Sequence, residues 1–468
     1  MKKKLKGTMT IQLADASSGE VVQTITEENM ITNAPNDILG LNPAGAFYNA
    51  ASTYADFIWQ DNLLPICPNM IGGIMFFPKA VSEDVDKIYP SSDNLPTAYA
   101  SNDVNATANT MRGSMNLTES KKLDDGYRFV WEFTPSQGNG AIAAAALTSA
   151  KGGTNIYGSI VADDTPFLQL LKYDLRQMTT EDQLPLYQSV EIDFENELLY
   201  ALSFDSSSVI LKKLRFPIFT LGLNETLNGH DYTLLETQTL SCSTFKWLGN
   251  YTKYGDFLDG HDGYWYGLSN EGNSSGSATM VWIKIKKSDY SYTEGSWTLS
   301  NAKLQPIGSF SSSSYPGRKS QSVIRNGYLY IIAYDGKGIY KINLSNSTDI
   351  TLIEFGFTSQ LKPLGDSGAC ENYLVMVNDI IIGYDFQITI EDKVIQTVGT
   401  KRFPAIGTPL YQYKEFLLAW SSSYGSEYML IFLLTPYLAS INNLSSAVVK
   451  TTEMTMKVTY ELTEQISS

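Results

Sequence analysis

Apolar and polar residues alternate with period two at both ends of the chain. Met9, Ile11 and Leu13 are separated by Thr10 and Gln12, and Glu453–Leu462 alternates over its whole length. This period turns one face of a strand to a core and the other to water. The first stretch reads as one arm of a hairpin. Ser17-Ser18-Gly19-Glu20 supplies the turn, Val21-Val22 and Thr24-Ile25-Thr26 the return strand, and Asn33-Ala34-Pro35-Asn36 the break. A short helix is expected near Pro43–Tyr54. Met70–Phe77 is a dense apolar run with a Gly pair, which predicts a strand with close packing or a bulge; neither a lysine at phosphate-loop spacing nor GxGxxG follows. Residues 78–110 are polar and turn-rich and read as a long, contact-forming loop. Met111–Ser120 and Gly126–Thr134 form a strand pair, with Tyr127, Phe129 and Trp131 on one face. Ala141–Thr148 fits a helix by propensity and a small-residue strand by its flanking glycines. Residues 154–184, containing Phe167–Leu171, read as a linker or adaptor.

Between about Leu184 and Leu438 a degenerate motif recurs five times: a turn, an apolar strand, a polar turn, a second apolar strand. The copies start at Glu195, His261, Arg325, Glu371 and Tyr413. Leu199-Tyr200, Tyr264-Trp265-Tyr266, Tyr328-Leu329-Tyr330 and Phe416-Leu417-Leu418 suit inner blade strands. Val209-Ile210-Leu211, Met280-Val281-Trp282, Ile339–Ile342 and Tyr428–Ile431 suit their partners. One such pair cannot bury both its faces, whereas stacking around an axis can. The pattern predicts a β-propeller of about five irregular blades. Six blades, two stacked β-sandwiches or a β-helix are the alternatives. The largest excursions are expected at 221–246 and 267–279, with Gly272–Ser277 an exposed loop.

The C-terminal alternation does not resemble the blade motif and suits pairing with the N-terminal strands. The expected fold is therefore all-β: a propeller inserted in or attached to a β-sandwich-like domain formed by the N-terminal region and the C-terminal strand. The expected units are residues 1–183, 184–438 and 439–468.

Composition narrows the function. Only 18% of residues are charged and the formal net charge is −15, which argues against nucleic-acid binding. Lys2, Lys3, Lys4 and Lys6 read as a solvated terminus. Cys67, Cys242 and Cys370 are odd in number and widely spaced, which suggests buried thiols and no disulfide framework or zinc site. No apolar segment follows the first lysines as in a signal peptide, and no run reaches membrane-spanning length. Neither export by a signal nor membrane insertion is expected; assembly into a particle released by lysis is another route outward.

No motif exposes a catalytic constellation. His230 and His261 adjoin Asp231 and Asp262, but adjacency alone makes no triad. Glu195, Glu197, Asp205, Asp256, Asp259 and Asp262 could supply a carboxylate pair for glycoside hydrolysis. Asp84, Asp86, Asp163 and Asp164 could attract calcium, yet lack EF-hand spacing. Tyr264, Trp265, Tyr266, Trp282, Trp297 and Tyr424 are candidate contacts for a glycan or receptor, since sugar C–H faces pack on apolar rings. Most of them suit blade cores better. No enzymatic activity, cofactor or metal is expected.

Four segments carry a family resemblance: TITEENMITNA (24–34), PNMIGGIMFF (68–77), WEFTPSQGNGAIAAAALTSAKGG (131–153) and YLASINNLSSAVVKTTEMTMKVTYELTE (437–464). Together they resemble structural proteins of tailed bacteriophages of Gram-positive hosts. The resemblance implies a virion protein of the tail or baseplate, made in the host cytoplasm. The symmetry of tail parts leads to an expected homo-oligomer in contact with other virion proteins, and analogy with receptor-binding modules gives the propeller an expected host cell-surface glycan. A polysaccharide-degrading tail enzyme, a structural collar, baseplate or head-decoration protein, and a secreted bacterial adhesin are the alternatives.

Overall fold

The computed structural model describes residues 4–35, 71–91, 93–106, 108–149, 167–174, 188–215, 233–248, 255–307, 322–359, 361, 373–383, 385–396, 410–423, 426–434 and 437–465. The expected helix near Pro43–Tyr54, and His230, Asp231, Asp163, Asp164, Tyr424, Cys67 and Cys370, lie outside the described residues.

The first eight strands are β1 (Lys4–Asp15), β2 (Val21–Ile31), β3 (Gly73–Phe77), β4 (Ala98–Ala100), β5 (Ser114–Met115), β6 (Lys121–Lys122), β7 (Gly126–Phe133) and β8 (Gly140–Thr148). β1 and β2 form the expected hairpin, with Gly7 opposite Asn29 and Ile11 opposite Ile25. At its turn the Asp15 carboxylate accepts the backbone N–H groups of Ser17 and Ser18 and both their hydroxyls. Those hydrogen bonds, led by the Ser17 hydroxyl, lower the Asp15 pKa to about 2. Gly19 takes φ +75° beside them.

Residues after the propeller return twice to this frame. β29 (Ser440–Lys450) inserts between β2 and β8, and β30 (Met454–Gln465) inserts between β1 and β7. The sequence pattern revealed only the second of these. β30 matches β1 residue for residue, from Lys4 opposite Gln465 to Asp15 opposite Met454. The resulting sheet runs β4-β3-β8-β29-β2-β1-β30-β7-β5, with β6 on the side of β7. Its two ends meet: the Tyr99 N–H donates to the Met111 carbonyl at 3.0 Å and the Gly113 N–H to the Tyr99 carbonyl at 2.9 Å. The sandwich-like frame is thus one sheet curled nearly into a barrel, which removes most of its exposed edge.

Met9, Ile11, Leu13, Trp131, Phe133, Val458 and Tyr460 fill one core of this frame. β3 and β8 are buried on both faces, which explains their unbroken apolar runs. Ile74, Phe76, Ala145 and Leu147 join that core, while Met75, Phe77, Ala144 and Ala146 pack with Val81 and Ile441 on the other side. Ala141–Thr148 is therefore strand: neighbours on both edges supply ladder partners, and small side chains suit a doubly covered position.

Between β8 and β29 the chain builds five four-stranded antiparallel blades. β9 (Phe167–Asp174) comes first. Blade 1 is β10 (Ser189–Asp193), β11 (Leu198–Asp205), β12 (Ser208–Arg215) and β13 (Thr233–Ser241). Blade 2 is β14 (Asp256–Asp259), β15 (Tyr264–Asn270), β16 (Ala278–Lys286) and β17 (Tyr292–Leu299). Blade 3 is β18 (Ser322–Arg325), β19 (Tyr328–Ile332), β20 (Gly338–Asn343) and β21 (Ile350–Glu354). Blade 4 is β22 (Val375–Val377), β23 (Ile380–Ile382), β24 (Phe386–Ile388) and β25 (Val394–Gln396). Blade 5 is β26 (Leu410–Tyr413), β27 (Phe416–Ser423), β28 (Ser426–Leu434) and, returning from before the ring, β9. β9 pairs with β28 from Phe167 opposite Leu434 to Asp174 opposite Tyr428. The stretch read as a linker thus supplies the outermost strand of the last blade and ties the two ends of the propeller together.

Three other expectations shift. The strands read as innermost, at Leu199, Tyr264, Tyr328 and Phe416, are the second strand of each blade. The true inner strands are short and partly polar, so they lack an apolar signature. In blade 4 the motif starting at Glu371 begins one strand early, because Val375–Val377 is the inner strand. Residues 233–241, inside the expected excursion at 221–246, form β13; its mostly exposed side chains disguise it. The loop at 272–277 is largely exposed, as expected. The recurring turn is the first hairpin of each blade, where Glu197, His261, Asn326, Asn378 and Lys414 all take left-handed backbone conformations with φ between 50° and 57°.

Apolar layers separate adjacent blades, and each fully buried aliphatic side chain contributes about 1.5–3 kcal/mol. Leu211, Trp265 and Ile283 pack between blades 1 and 2, and Leu268, Leu304 and Leu329 between blades 2 and 3. Ile332, Leu374 and Phe386 lie between blades 3 and 4, and Val377, Ile380 and Leu417 between blades 4 and 5. Ile192 and Phe416, from the first and last blades, share the barrel's own core. The Tyr89 hydroxyl also donates to the Lys414 carbonyl at 3.2 Å, so the loop after β3 reaches the first turn of blade 5.

Candidate functional site

The five inner strands enclose a central cavity of about 550 Å³. Every blade contributes to its wall: Glu191 from blade 1, Asp256 and Asp259 from blade 2, Ser322 and Arg325 from blade 3, Met376 and Asn378 from blade 4, Tyr411 and Gln412 from blade 5. This convergence from chain positions far apart makes the cavity the strongest candidate site among the described residues.

Polar bonds across four of the five joints between blades orient its wall. Between blades 1 and 2, Trp265 Nε1 donates to Glu191 Oε2 at 2.7 Å. The Lys287 ammonium bridges Glu191 Oε2 and Asp259 Oδ1, each at 2.8 Å. Burial opposes the charge on Lys287, but the two carboxylates outweigh it and raise its pKa. Between blades 3 and 4, the buried Arg325 donates from Nη1 to the carbonyls of Asp379 and Ile388, and from Nη2 to Asp392 at 2.8 Å. Lys341 and the Tyr330 hydroxyl also hold Asp392. Burial pushes its pKa up, and these donors bring it below the ordinary carboxylate range. Between blades 4 and 5, Gln412 Nε2 donates to Asn378 Oδ1 at 2.5 Å, and Gln412 Oε1 accepts the Asn378 backbone N–H at 3.0 Å. Between blades 5 and 1, the Tyr411 hydroxyl donates to Ser189 Oγ at 2.7 Å and the Tyr413 hydroxyl to Glu195 Oε1 at 2.9 Å. Burial, with Asp256, Asp259 and Glu191 nearby, lifts the Tyr411 pKa far above its usual value, so its hydroxyl keeps the proton it donates.

Two features of the wall remain after these joints are counted. Ser322 is 1% exposed, and its hydroxyl meets no hydrogen-bond partner among the described residues. A buried polar group left so costs roughly 1–3 kcal/mol. Leu258, Val323 and Met376 in the same wall are only half-buried, so the cavity keeps open apolar surface.

The structure distributes the sequence candidates differently. Tyr264 is half-buried, with the Lys284 ammonium 4.0 Å from its ring centre. Trp265 is 1% exposed and packs on Tyr200 and Tyr290. Tyr266 is buried and donates to Asp262 at 2.7 Å; burial and Asp262 raise its pKa. Trp282 and Trp297 are half-buried and face one another at 5.7 Å. Trp265 is the only one of these that bonds a cavity wall residue, Glu191. A repeated device accounts for several of the aromatics. Tyr200 stands directly opposite Lys213, Tyr266 opposite Lys284, and Tyr330 opposite Lys341, each ammonium 5.1–5.9 Å from the ring centre.

Of the carboxylates singled out, Asp256 and Asp259 reach the cavity. Glu195 is held by Tyr413, Asp205 accepts from Ser206, and Asp262 serves Tyr266 and Lys284. His261 is exposed at the rim, its N–H donating to Asp259 at 2.7 Å. Asp84 accepts the Asp86 N–H, and Asp86 accepts from Asn33. Among the described residues no group of His, Cys, Asp or Glu could hold a metal ion. Glu191, Lys287, Ser322, Arg325, Asn378 and Gln412 escaped the sequence reading. Their one available signal was position: Arg325 and Asn378 flank or occupy the recurring turns.

No protein-family model and no curated protein matches the chain. Among solved structures, AztD from Citrobacter koseri aligns at 9% identity over 85% of this chain and 94% of its own, with a TM-score of 0.23. A structure of apo AztD from the same organism also aligns at 9%, over 84% and 96%, with a TM-score of 0.23. The WD40 domain of SCAP from fission yeast aligns at 7% over 72% and 89%, with a TM-score of 0.18. Likenesses this distant carry no argument about function.

Proposed function

We propose that the chain is a non-enzymatic structural protein of a tailed bacteriophage of Gram-positive hosts, in the tail or baseplate, whose propeller serves host attachment. One observation carries this reading. The four resembling segments, scattered along the chain, contain β3, β8 and β29 and most of β2 and β30, all strands of one sheet. Segments that build a single folded unit support a shared origin for that unit better than isolated likenesses do. The frame would contact other virion proteins, and the propeller, inserted between β8 and β29, would face outward toward a cell-surface glycan. Copies arranged symmetrically would gain avidity from weak individual contacts.

Gold-labelled antibody against the purified chain tests this on intact particles. Label at the tail tip or baseplate, with binding of the purified chain to host cell walls, is the expected result. Label confined to the head or collar, or no label, overturns the attachment reading. Release of soluble saccharide from those walls overturns the non-enzymatic one.

A further inference from the structure

We infer that the outer edge of blade 1 pairs with the same edge of a second copy of this chain, so that β13 meets β13 antiparallel across a two-fold axis. An outer strand leaves one row of backbone N–H and C=O groups without a ladder, and such rows are guarded by shortness, by Lys or Pro, or by a bend. β13 is the longest outer strand of the five blades. β21 and β25 are shorter, β9 holds Lys172, and β17 is interrupted by Gly295, on which the Trp282 ring lies. β13 contains no Lys, Arg or Pro. Seven of its nine residues are exposed, so the strand is open to solvent on both faces. Leu234 and Leu235 are 53% and 46% exposed. A bulge at Leu235 bends only the first end; from Glu236 to Ser241 the strand runs regularly along β12.

The backbone shows which groups face outward. The Cys242 N–H donates to the Ser207 carbonyl, toward β12, whereas the Ser241 carbonyl accepts the Tyr292 hydroxyl of blade 2 at 2.5 Å, away from it. Backbone groups alternate sides along a strand, so those of Thr237 and Thr239 point outward with Ser241. Charge selects the partner and the register. Glu236 is the only charged residue of β13. With the axis at Thr237, each Glu236 stands opposite Gln238 of the other copy, a carboxylate against an amide donor. An axis one residue earlier sets two carboxylates against each other. Gln238 already donates to its own Glu236 at 2.8 Å, so both side chains lie on one face of the strand. In this register Thr237 meets its own mate and Leu235 meets Thr239. The pairing forms about four to six ladder hydrogen bonds and covers the exposed leucines. It goes beyond the virion reading and does not rest on it.

Sedimentation velocity of the full chain between about 1 and 200 µM tests it. A reversible monomer–dimer equilibrium is expected, with a Kd of about 1–100 µM, as suits a small interface. Thr237→Pro removes only an outward N–H and should weaken the dimer at least about tenfold with an unchanged melting temperature. Thr237→Lys keeps that N–H, sets two ammonium groups at the axis and should weaken it as much. If Thr237→Pro melts early, Thr237→Lys decides alone. Ser296→Lys puts the same charge on the outer strand of blade 2 and should leave the dimer intact. A chain that stays monomeric throughout, or assembles without passing through a dimer, overturns the proposal. So does a dimer unchanged by Thr237→Lys, or one weakened equally by Ser296→Lys. None of these outcomes bears on where the protein sits in a particle.

Discussion

Tyr411 and Ser189 stand 222 positions apart in the chain and meet through a 2.7 Å hydrogen bond that joins the last blade to the first. Together with the pairing of β9 on β28, this contact closes the ring. Tyr411→Phe keeps the ring packing and removes the donor. It should cost about 0.5–1.5 kcal/mol in urea unfolding, and Tyr411→Phe combined with Ser189→Ala should cost less than the sum of the two single losses. Additive losses would show that the two hydroxyls act separately.

Arg325 is the opposite case, a charge that cannot be removed cheaply. Its guanidinium, 2% exposed, serves two carbonyls and Asp392 at the joint between blades 3 and 4. Arg325→Ala deprives the Asp379 and Ile388 carbonyls of their donor, leaves Asp392 to Lys341 and Tyr330, and should cost roughly 1–3 kcal/mol. Arg325→Lys should rescue little, because one ammonium cannot span the same fork. Equilibrium denaturation of both variants checks this; a lysine variant as stable as the parent would contradict it.

Glu294 makes the link between blades 1 and 2 sensitive to acid. It accepts the N–H groups of Ser243, Thr244 and Phe245 and the Ser243 hydroxyl at 2.6–2.9 Å. Burial opposes its ionisation, but these donors, led by the Phe245 N–H, hold its pKa at about 2, below the reference value of 4.5. The unfolded chain therefore binds a proton first as pH falls. The stabilisation is complete above about pH 4.5 and is lost on the way down to about pH 2. Glu294→Gln should flatten that part of the stability curve, measured as melting temperature at successive pH values between 5 and 2.5.

Gly7 gives way to Tyr460 in the barrel. A Cβ at position 7 would stand 2.2 Å from the Tyr460 hydroxyl oxygen, and Tyr460 is fully buried with no room to withdraw. Gly7→Ala should destabilise by about 1–3 kcal/mol. Tyr460→Phe in the same chain should recover part of that loss, which a double-mutant cycle would register as a coupling.

Much of this architecture was legible before any coordinates. Met9, Ile11 and Leu13 declare β1, the alternation at 453–462 declares β30, and the turns at Asn326-Gly327 and Asn378-Asp379 mark two of the blades. Such signals are local, because side-chain alternation and left-handed turn residues are properties of a few consecutive positions. The innermost strands were missed because their side chains are divided between an apolar layer and a polar cavity. Ser189-Val190-Glu191 carries no more apolar character than a loop. β9 was missed for another reason: Phe167–Asp174 reads as a strand, yet nothing in its composition says that its partner lies beyond position 425.

By itself the sequence determined an all-β chain with a repeated middle and a frame shared by its two ends, because hydrophobic periodicity is written residue by residue. Only the tertiary structure decided how the ring closes, which strands turn inward, and that Glu191, Asp256, Ser322, Asn378 and Tyr411 share one cavity. Those are matters of pairing between distant segments, and the energy that selects them comes from layers and hydrogen bonds that exist only once all five blades stand together.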